Sequence, residues 1–183
     1  MTIYLIRHGK TQANLQHLYC GSTDLALSDQ GREELKQLHY ALENVKFITS
    51  GMLRTEQTLE ILFGPVPHTQ EPGLREVDFG AFEMQSYEKL KDDPAYQVWL
   101  TGDNEANVPP QGESGLQMRQ RVLEAFSRVE EDTVIIAHGG VIAAIMEHLF
   151  PEEGKNRYQW QPKPGHGYAL SQGRYWPIPD QGK

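Results

Sequence analysis

The chain has 183 residues, 38% of them hydrophobic, which is enough apolar material for one core and too little for two. Its 17 Lys and Arg against 25 Asp and Glu leave a formal charge of -8, so nucleic acid and acidic membrane are repelled over most of the surface and any anion site must be a local basic pocket. Cys20 is the only cysteine, which excludes an intramolecular disulfide and a thiolate metal cluster.

The opening MTIYLIRHGK carries an apolar run too short for a signal peptide, and no later stretch could span a bilayer, so a cytoplasmic protein is expected. Residues 2–6 read as a buried strand that stops at Arg7, His8 and Gly9. Ser28 is placed to cap a helix with Leu35, Leu38 and Leu42 on one face, and residues 45–49 form a second strand. A helix over 54–63 follows, closed by Gly64 and Pro65. Between about 71 and 115 the pattern loosens into turn signals with Tyr87, Tyr96 and Trp99 among charges, and an inserted cap of short helices is expected. Leu116, Leu123, Phe126 and Val129 then mark a helix face, 133–137 a compact strand ending at His138, Gly139 and Gly140, and 141–149 an apolar helix. Strand-like pieces at 168–171 and 174–178 precede a frayed end. Strands alternating with helices predict an α/β fold of one domain over 1–183, with a mostly parallel sheet covered on both faces.

Two strands from opposite ends of the sequence each finish in histidine and glycine, and in a parallel sheet such ends converge on one edge, where open α/β folds bind ligands. The glycines let backbone approach an anion, and the following helix presents its amino end. Arg7 and Arg54 add fork-shaped donors matched to phosphate oxygens. A neutral imidazole aimed at phosphorus accepts the phosphoryl group while such a clamp stabilises the equatorial oxygens. The leaving alkoxide then needs a proton. A carboxyl beside a bound dianion tends to keep its proton, which makes Glu76 in LREVDFG the acid candidate over its neighbours Asp78 and Glu83. His17, His39, His68, His148 and His166 lack metal-ligand spacing, and neither a P-loop nor a nucleophile elbow is present.

RHGKTQAN at residues 7–14 resembles the RHG-x-T-x-x-N signature of the histidine phosphatase, or phosphoglycerate mutase-like, superfamily. DLALSDQG at 24–31, SGMLR at 50–54, Glu76 before Phe79 and Gly80, PQGES at 110–114 and AHGG at 137–140 match the family's later motifs in order. The resemblance implies a three-layer α/β/α sandwich with a small inserted helical cap. It implies His8 as the phosphorylated residue, Glu76 as proton donor, and Arg7, Asn14, Arg54, His138 and Gly139 around the phosphate. It implies neither a metal nor another cofactor, and a small phosphomonoester as partner rather than nucleic acid or membrane, with the oligomeric state left open. The chain lacks the E-R-H-Y-G motif and the paired insert arginine of phosphoglycerate mutases, so the phosphatase branch is expected. LYCGSTDLALS and DFGAFEMQSYEKL look most like the bacterial α-ribazole-5'-phosphate phosphatases. A mutase or sugar bisphosphatase of the same superfamily is the first alternative, and a non-catalytic phosphate-binding module the second. Lys10, where Glu or Gln is commoner, could favour acidic substrates or point into solvent.

Overall fold

The computed structural model describes residues 1–180. Strand β1 (Ile3–Arg7) lies in a six-stranded sheet beside β4 (Thr133–Ala137), with β2 (Lys46–Thr49) and β3 (Thr69–Gln70) beyond β4 and β5 (Gly167–Ser171) and β6 (Arg174–Ile178) on the other flank. The order is β3-β2-β4-β1-β5-β6. The first four run parallel, and the last two turn back antiparallel.

Alternation along the strands divides the core. Leu5 and Ile135 face one layer with α6 (Gly115–Phe126) and α7 (Gly139–Leu149), while Ile6, Val134 and Ile136 face the other with Leu59 of α3 (Leu53–Phe63). All five residues of β4 are buried, as a central parallel strand covered on both faces requires. Each such Leu or Ile contributes about 1.5–3 kcal/mol relative to exposure. The two layers and the sheet make the expected α/β sandwich. Residues 71–115 supply short turns with α4 (Tyr87–Leu90) and α5 (Pro94–Leu100), the expected insert. No helix among the described residues is long and apolar enough to cross a membrane.

Two expectations need correction. The helix begun by Ser28 is α2 (Asp29–Lys36), and it ends before Leu38 and Leu42. The chain leaves helical geometry so that the Tyr40 hydroxyl can donate to the Gly165 carbonyl at 2.6 Å, and Leu42 reaches the second core layer from an irregular segment. On α6 the fully buried stripe is Met118, Val122 and Ala125, because the helix packs between α7 and the turn at Pro72–Leu74. Leu123, Phe126 and Val129 only flank that core, and Leu116 is 51% exposed. The short helices α1 (Gln12–Leu15) and α8 (Arg157–Trp160) and the two-residue β3 are additions. The frayed end, at 181–183, lies outside the described residues.

Candidate active site

The register Arg7↔Ala137 between β1 and β4 puts His8 and His138 side by side at the carboxyl edge, while Thr49↔Ile136 brings Ser50 to the same level. The two imidazoles meet edge to face with centroids 5.2 Å apart. Both are buried, His138 completely. Burial pushes both well below the ordinary histidine range, and the Arg54 and Arg7 guanidinium charges push the same way, so both rings are neutral near pH 7.

Hydrogen bonds fix what each ring offers. His8 Nδ1–H donates to the Gly9 carbonyl at 2.6 Å, which leaves the lone pair on Nε2. His138 Nε2 lies 2.8 Å from the Ser50 hydroxyl, and its Nδ1 is buried with no partner among the described residues. In the tautomer in which Ser50 donates to Nε2, the His138 Nδ1–H is an unused donor. The Arg7 Nε is likewise buried and unpartnered, while its Nη1 donates to the Pro162 carbonyl at 2.9 Å. Arg54, 1% exposed, donates Nη1 to Thr23 O at 2.8 Å and Nη2 to Gly21 O at 2.7 Å. Each of those nitrogens keeps a second hydrogen.

Glu76 stands at the head of α7. Its Oε2 accepts from Gly140 N–H at 2.9 Å and its Oε1 from Val77 N–H at 3.0 Å. The helix end expected to receive phosphate is thus partly taken by the protein's own carboxylate. The rival acids are committed elsewhere. Asp78 accepts from Ser22 Oγ and Gly80 N–H, both at 2.8 Å. Glu83 gathers Gly21 N–H, Ser22 N–H, Thr23 Oγ1 and Phe79 N–H at 2.7–3.1 Å. Both serve as anchors for the 21–23 loop, and that loop's carbonyls in turn hold Arg54.

Sequence reasoning passed over several members of this site. Arg121 on α6 donates to the carbonyls of Gly73 and Arg75 at 2.9 and 2.8 Å and of Glu76 at 3.3 Å, and it pairs with Glu113 at 2.5 Å. It therefore fixes the backbone that presents Glu76. The G-E-S motif was the available signal: Ser114 caps α6, and Glu113 orients the arginine two turns along. Nothing in local sequence distinguishes Arg121 from Arg119, which pairs with Glu147.

Asn14 completes a capping box at the start of α1, with Thr11 as the cap. Its Oδ1 accepts from Thr11 N–H at 2.9 Å and Thr11 Oγ1 at 3.0 Å, and it borders a cleft with Arg7, Lys10 and His17. Lys10 itself pairs with Glu34 at 3.0 Å. His166 contributes its backbone carbonyl to Arg7 N–H at 2.9 Å. Gly139 is required by space, since a Cβ there would meet the Arg7 guanidinium at 3.1 Å. Of the cap aromatics, Tyr96 is buried packing, Tyr87 is exposed, and Trp99 walls a cavity of about 400 Å³. That cavity opens beside Glu76 and Gly140 and is also lined by Tyr19, Phe79 and Tyr158. No group of three or more His, Cys, Asp or Glu side chains among the described residues is arranged to hold a metal ion.

Two neutral imidazoles, the buried Arg54 and half-buried Arg7 guanidinium groups and a carboxylate meet at one sheet edge, with one nitrogen of each imidazole unengaged. The chain belongs to the histidine phosphatase superfamily: the family model described as Histidine phosphatase superfamily (branch 1) matches residues 3–172. It is 30% identical over 161 residues to the adenosylcobalamin/alpha-ribazole phosphatase of Escherichia coli (strain K12), covering 81% of this chain and 79% of that one. It is 32% identical over 156 residues to human 6-phosphofructo-2-kinase/fructose-2,6-bisphosphatase 4, covering 81% of this chain and 32% of that longer one. Among solved structures, an Escherichia coli protein described as a putative alpha-ribazole-5'-P phosphatase superposes with a TM-score of 0.83 at 26% identity, over 97% of this chain and 94% of that one. A Thermus thermophilus structure described as phosphoglycerate mutase gives 0.75 at 31% identity, over 93% of each chain.

Proposed function

We propose that this chain is a metal-independent phosphoric monoester hydrolase acting through a phosphohistidine. His8 Nε2 attacks phosphorus as the ester P–O bond breaks. The spare hydrogens of Arg54, with Arg7 Nε and His138 Nδ1, hold the equatorial oxygens, and the leaving alkoxide takes a proton from the Glu76 carboxyl. The resulting Glu76 carboxylate then removes a proton from water as that water attacks phosphorus and displaces His8. No metal or organic cofactor enters this cycle. Residues 1–183 act as one catalytic domain, with the 71–115 insert roofing the leaving-group side, and Asn14 supports the turn that carries His8.

The single observation that carries this reading is the His8 ring itself: Nδ1 is tied to the Gly9 carbonyl and Nε2 is left bare beside the guanidinium groups of Arg7 and Arg54. For the substrate, a small phosphorylated metabolite is proposed, with α-ribazole 5'-phosphate the leading candidate. The bacterial relatives' names point there, and the cavity walls of Tyr19, Phe79, Trp99 and Tyr158 suit a flat aromatic leaving group. A sugar bisphosphatase is the second reading, favoured by the separate cleft that Arg7, Lys10 and His17 line.

The test is a rapid denaturing quench at alkaline pH with radiolabelled phosphoryl substrate. Label is expected on His8, and His8→Ala is expected to abolish both labelling and p-nitrophenyl phosphate hydrolysis with the fold intact. Appreciable turnover by His8→Ala sinks the assignment, and binding without any labelled enzyme points to a phosphate-binding module instead. A kinetic panel of α-ribazole phosphate, fructose 2,6-bisphosphate and phosphoglycerates then separates the substrate readings.

A further inference from the structure

Gln161 directly follows α8, and its surroundings are fixed from both sides. The Trp160 carbonyl accepts from the Tyr168 hydroxyl at 2.9 Å, and the Pro162 carbonyl accepts from Arg7 Nη1 at 2.9 Å. The side chain runs back over the head of α7. Its Oε1 lies 2.8 Å from where a Cβ on Gly139 would stand, and it lines the same cavity as Glu76 and Gly140. Glu76 Oε1 lies 2.5 Å from the corresponding point on Gly140. The carboxamide and the proposed acid thus stand over successive residues at the head of α7 and line one cavity.

The carboxamide of Gln161 makes no hydrogen bond among the described residues, although the side chain is half-buried. An amide offers two donors and an acceptor, and here they are free to meet a ligand in a cavity whose walls are otherwise mostly apolar. Nearby, Glu76 is held by two backbone N–H groups and Arg7 Nη1 by Pro162, while Arg7 Nε has no partner among the described residues. A group that both donates and accepts, placed next to the acid that must reach the ester oxygen, matches a hydroxyl close to that oxygen.

We infer that Gln161 is a substrate-binding residue that hydrogen-bonds a hydroxyl of the leaving group near the scissile ester. The aromatic walls further along the cavity then take whatever apolar part follows. The substrate class is a phosphomonoester of a polyol or sugar, and the inference rests on the hydrolytic reading above.

The experiment compares ribose 5-phosphate, which carries hydroxyls beside its ester, with p-nitrophenyl phosphate, which carries none. Losing one neutral hydrogen bond of about 0.5–1.5 kcal/mol corresponds to roughly 2- to 13-fold. In Gln161→Leu, the ratio of kcat/KM for ribose 5-phosphate to that for p-nitrophenyl phosphate is expected to fall by about this factor, mainly through KM. Gln161→Asn, whose amide is withdrawn by one methylene, should lower the same ratio. An unchanged ratio in both variants overturns the inference, as does wild-type turnover of p-nitrophenyl phosphate with none of ribose 5-phosphate. In either case hydrolysis stands. If the wild-type protein turns over neither ester and forms no phosphohistidine, the hydrolytic reading itself falls.

Discussion

Replacing Gly140 with alanine tests the placement of Glu76 without touching its chemistry. A Cβ at this position would lie 2.5 Å from Glu76 Oε1, 3.0 Å from Oε2 and 3.1 Å from Cδ, and its three nearest neighbours are all atoms of that one carboxyl group. The backbone has no reason to move, so the carboxyl swings away by roughly 1 Å and gives up its bond from Gly140 N–H, enough to spoil a proton transfer. General acid catalysis by a positioned side chain is worth about 10²–10⁴-fold. For an alkyl ester such as glycerol phosphate, whose alkoxide cannot leave unprotonated, kcat/KM should fall by about 10² or more. For p-nitrophenyl phosphate, whose leaving group needs little help, the loss should be about tenfold or less. Stability moves the other way or hardly at all. Alanine is favoured over glycine in a helix by up to about 1 kcal/mol, and the lost charge–helix contact takes back about 0.3–1 kcal/mol. Tm should therefore stay within about 4 °C of wild type. Steady-state rates on the two esters, beside a thermal melt, read both quantities. Wild-type rates on glycerol phosphate, or equal losses on both esters, would refute the assignment of Glu76 as the acid.

Glu76→Gln should show the same leaving-group bias as Gly140→Ala, because it removes the proton and keeps the shape; a Brønsted series of aryl phosphates reads it as a steeper slope. Arg121→Ala strips the backbone around Glu76 of its shared donor, and with charged hydrogen bonds worth about 1.5–3 kcal/mol each it should lower unfolding free energy by about 2–4 kcal/mol in urea while steepening that slope. His8 and His138 stand well below the ordinary 6.5 in the folded chain, so as pH drops below 6.5 the unfolded chain binds protons that the folded chain refuses. Their contribution is complete above that value and is lost as pH falls toward the folded pKa values, at up to about 1.4 kcal/mol per pH unit for each group. His138→Gln should flatten the stability profile below about pH 6.5 by up to that slope, and an unchanged profile would contradict the neutral, buried ring.

Most of the fold and the core of the site were legible because both depend on short stretches with strong physical signatures. An apolar run of strand length that ends in His and Gly marks the end of a buried parallel strand, and the chain does this at His8 and again at His138. What escaped was long-range. Leu38 and Leu42 keep helical spacing with Leu35, yet α2 stops at Lys36, since Tyr40 gains a hydrogen bond to Gly165, 125 residues away. The stripe on α6 was misassigned because two arrangements of apolar residues fit the helix equally well, and only packing against α7 selects Met118, Val122 and Ala125. Arg121 was invisible because its partners are mostly backbone carbonyls, which carry no side-chain signature. Asp78 and Glu83 lie close to Glu76 in the sequence, and what separates the three is where they are held: Asp78 and Glu83 bond to the 21–23 loop, whereas Glu76 bonds to Gly140 at the head of α7.

That division of labour explains how a chain of charge -8 keeps a cationic pocket. Arg54 is buried by the carbonyls of Gly21 and Thr23, and the loop that presents them is drawn in by the Glu83 carboxylate through its own N–H groups. A negative side chain therefore supports the positive pocket at one remove, with the peptide dipoles between them oriented by both. Donors fixed in this way need no reorganisation when charge develops on a phosphoryl group, which is where preorganised sites gain most over water. Charge reversal at Glu83 should accordingly damage phosphate affinity more than removal of any surface lysine, although Glu83 itself would repel the ligand if it stood alone.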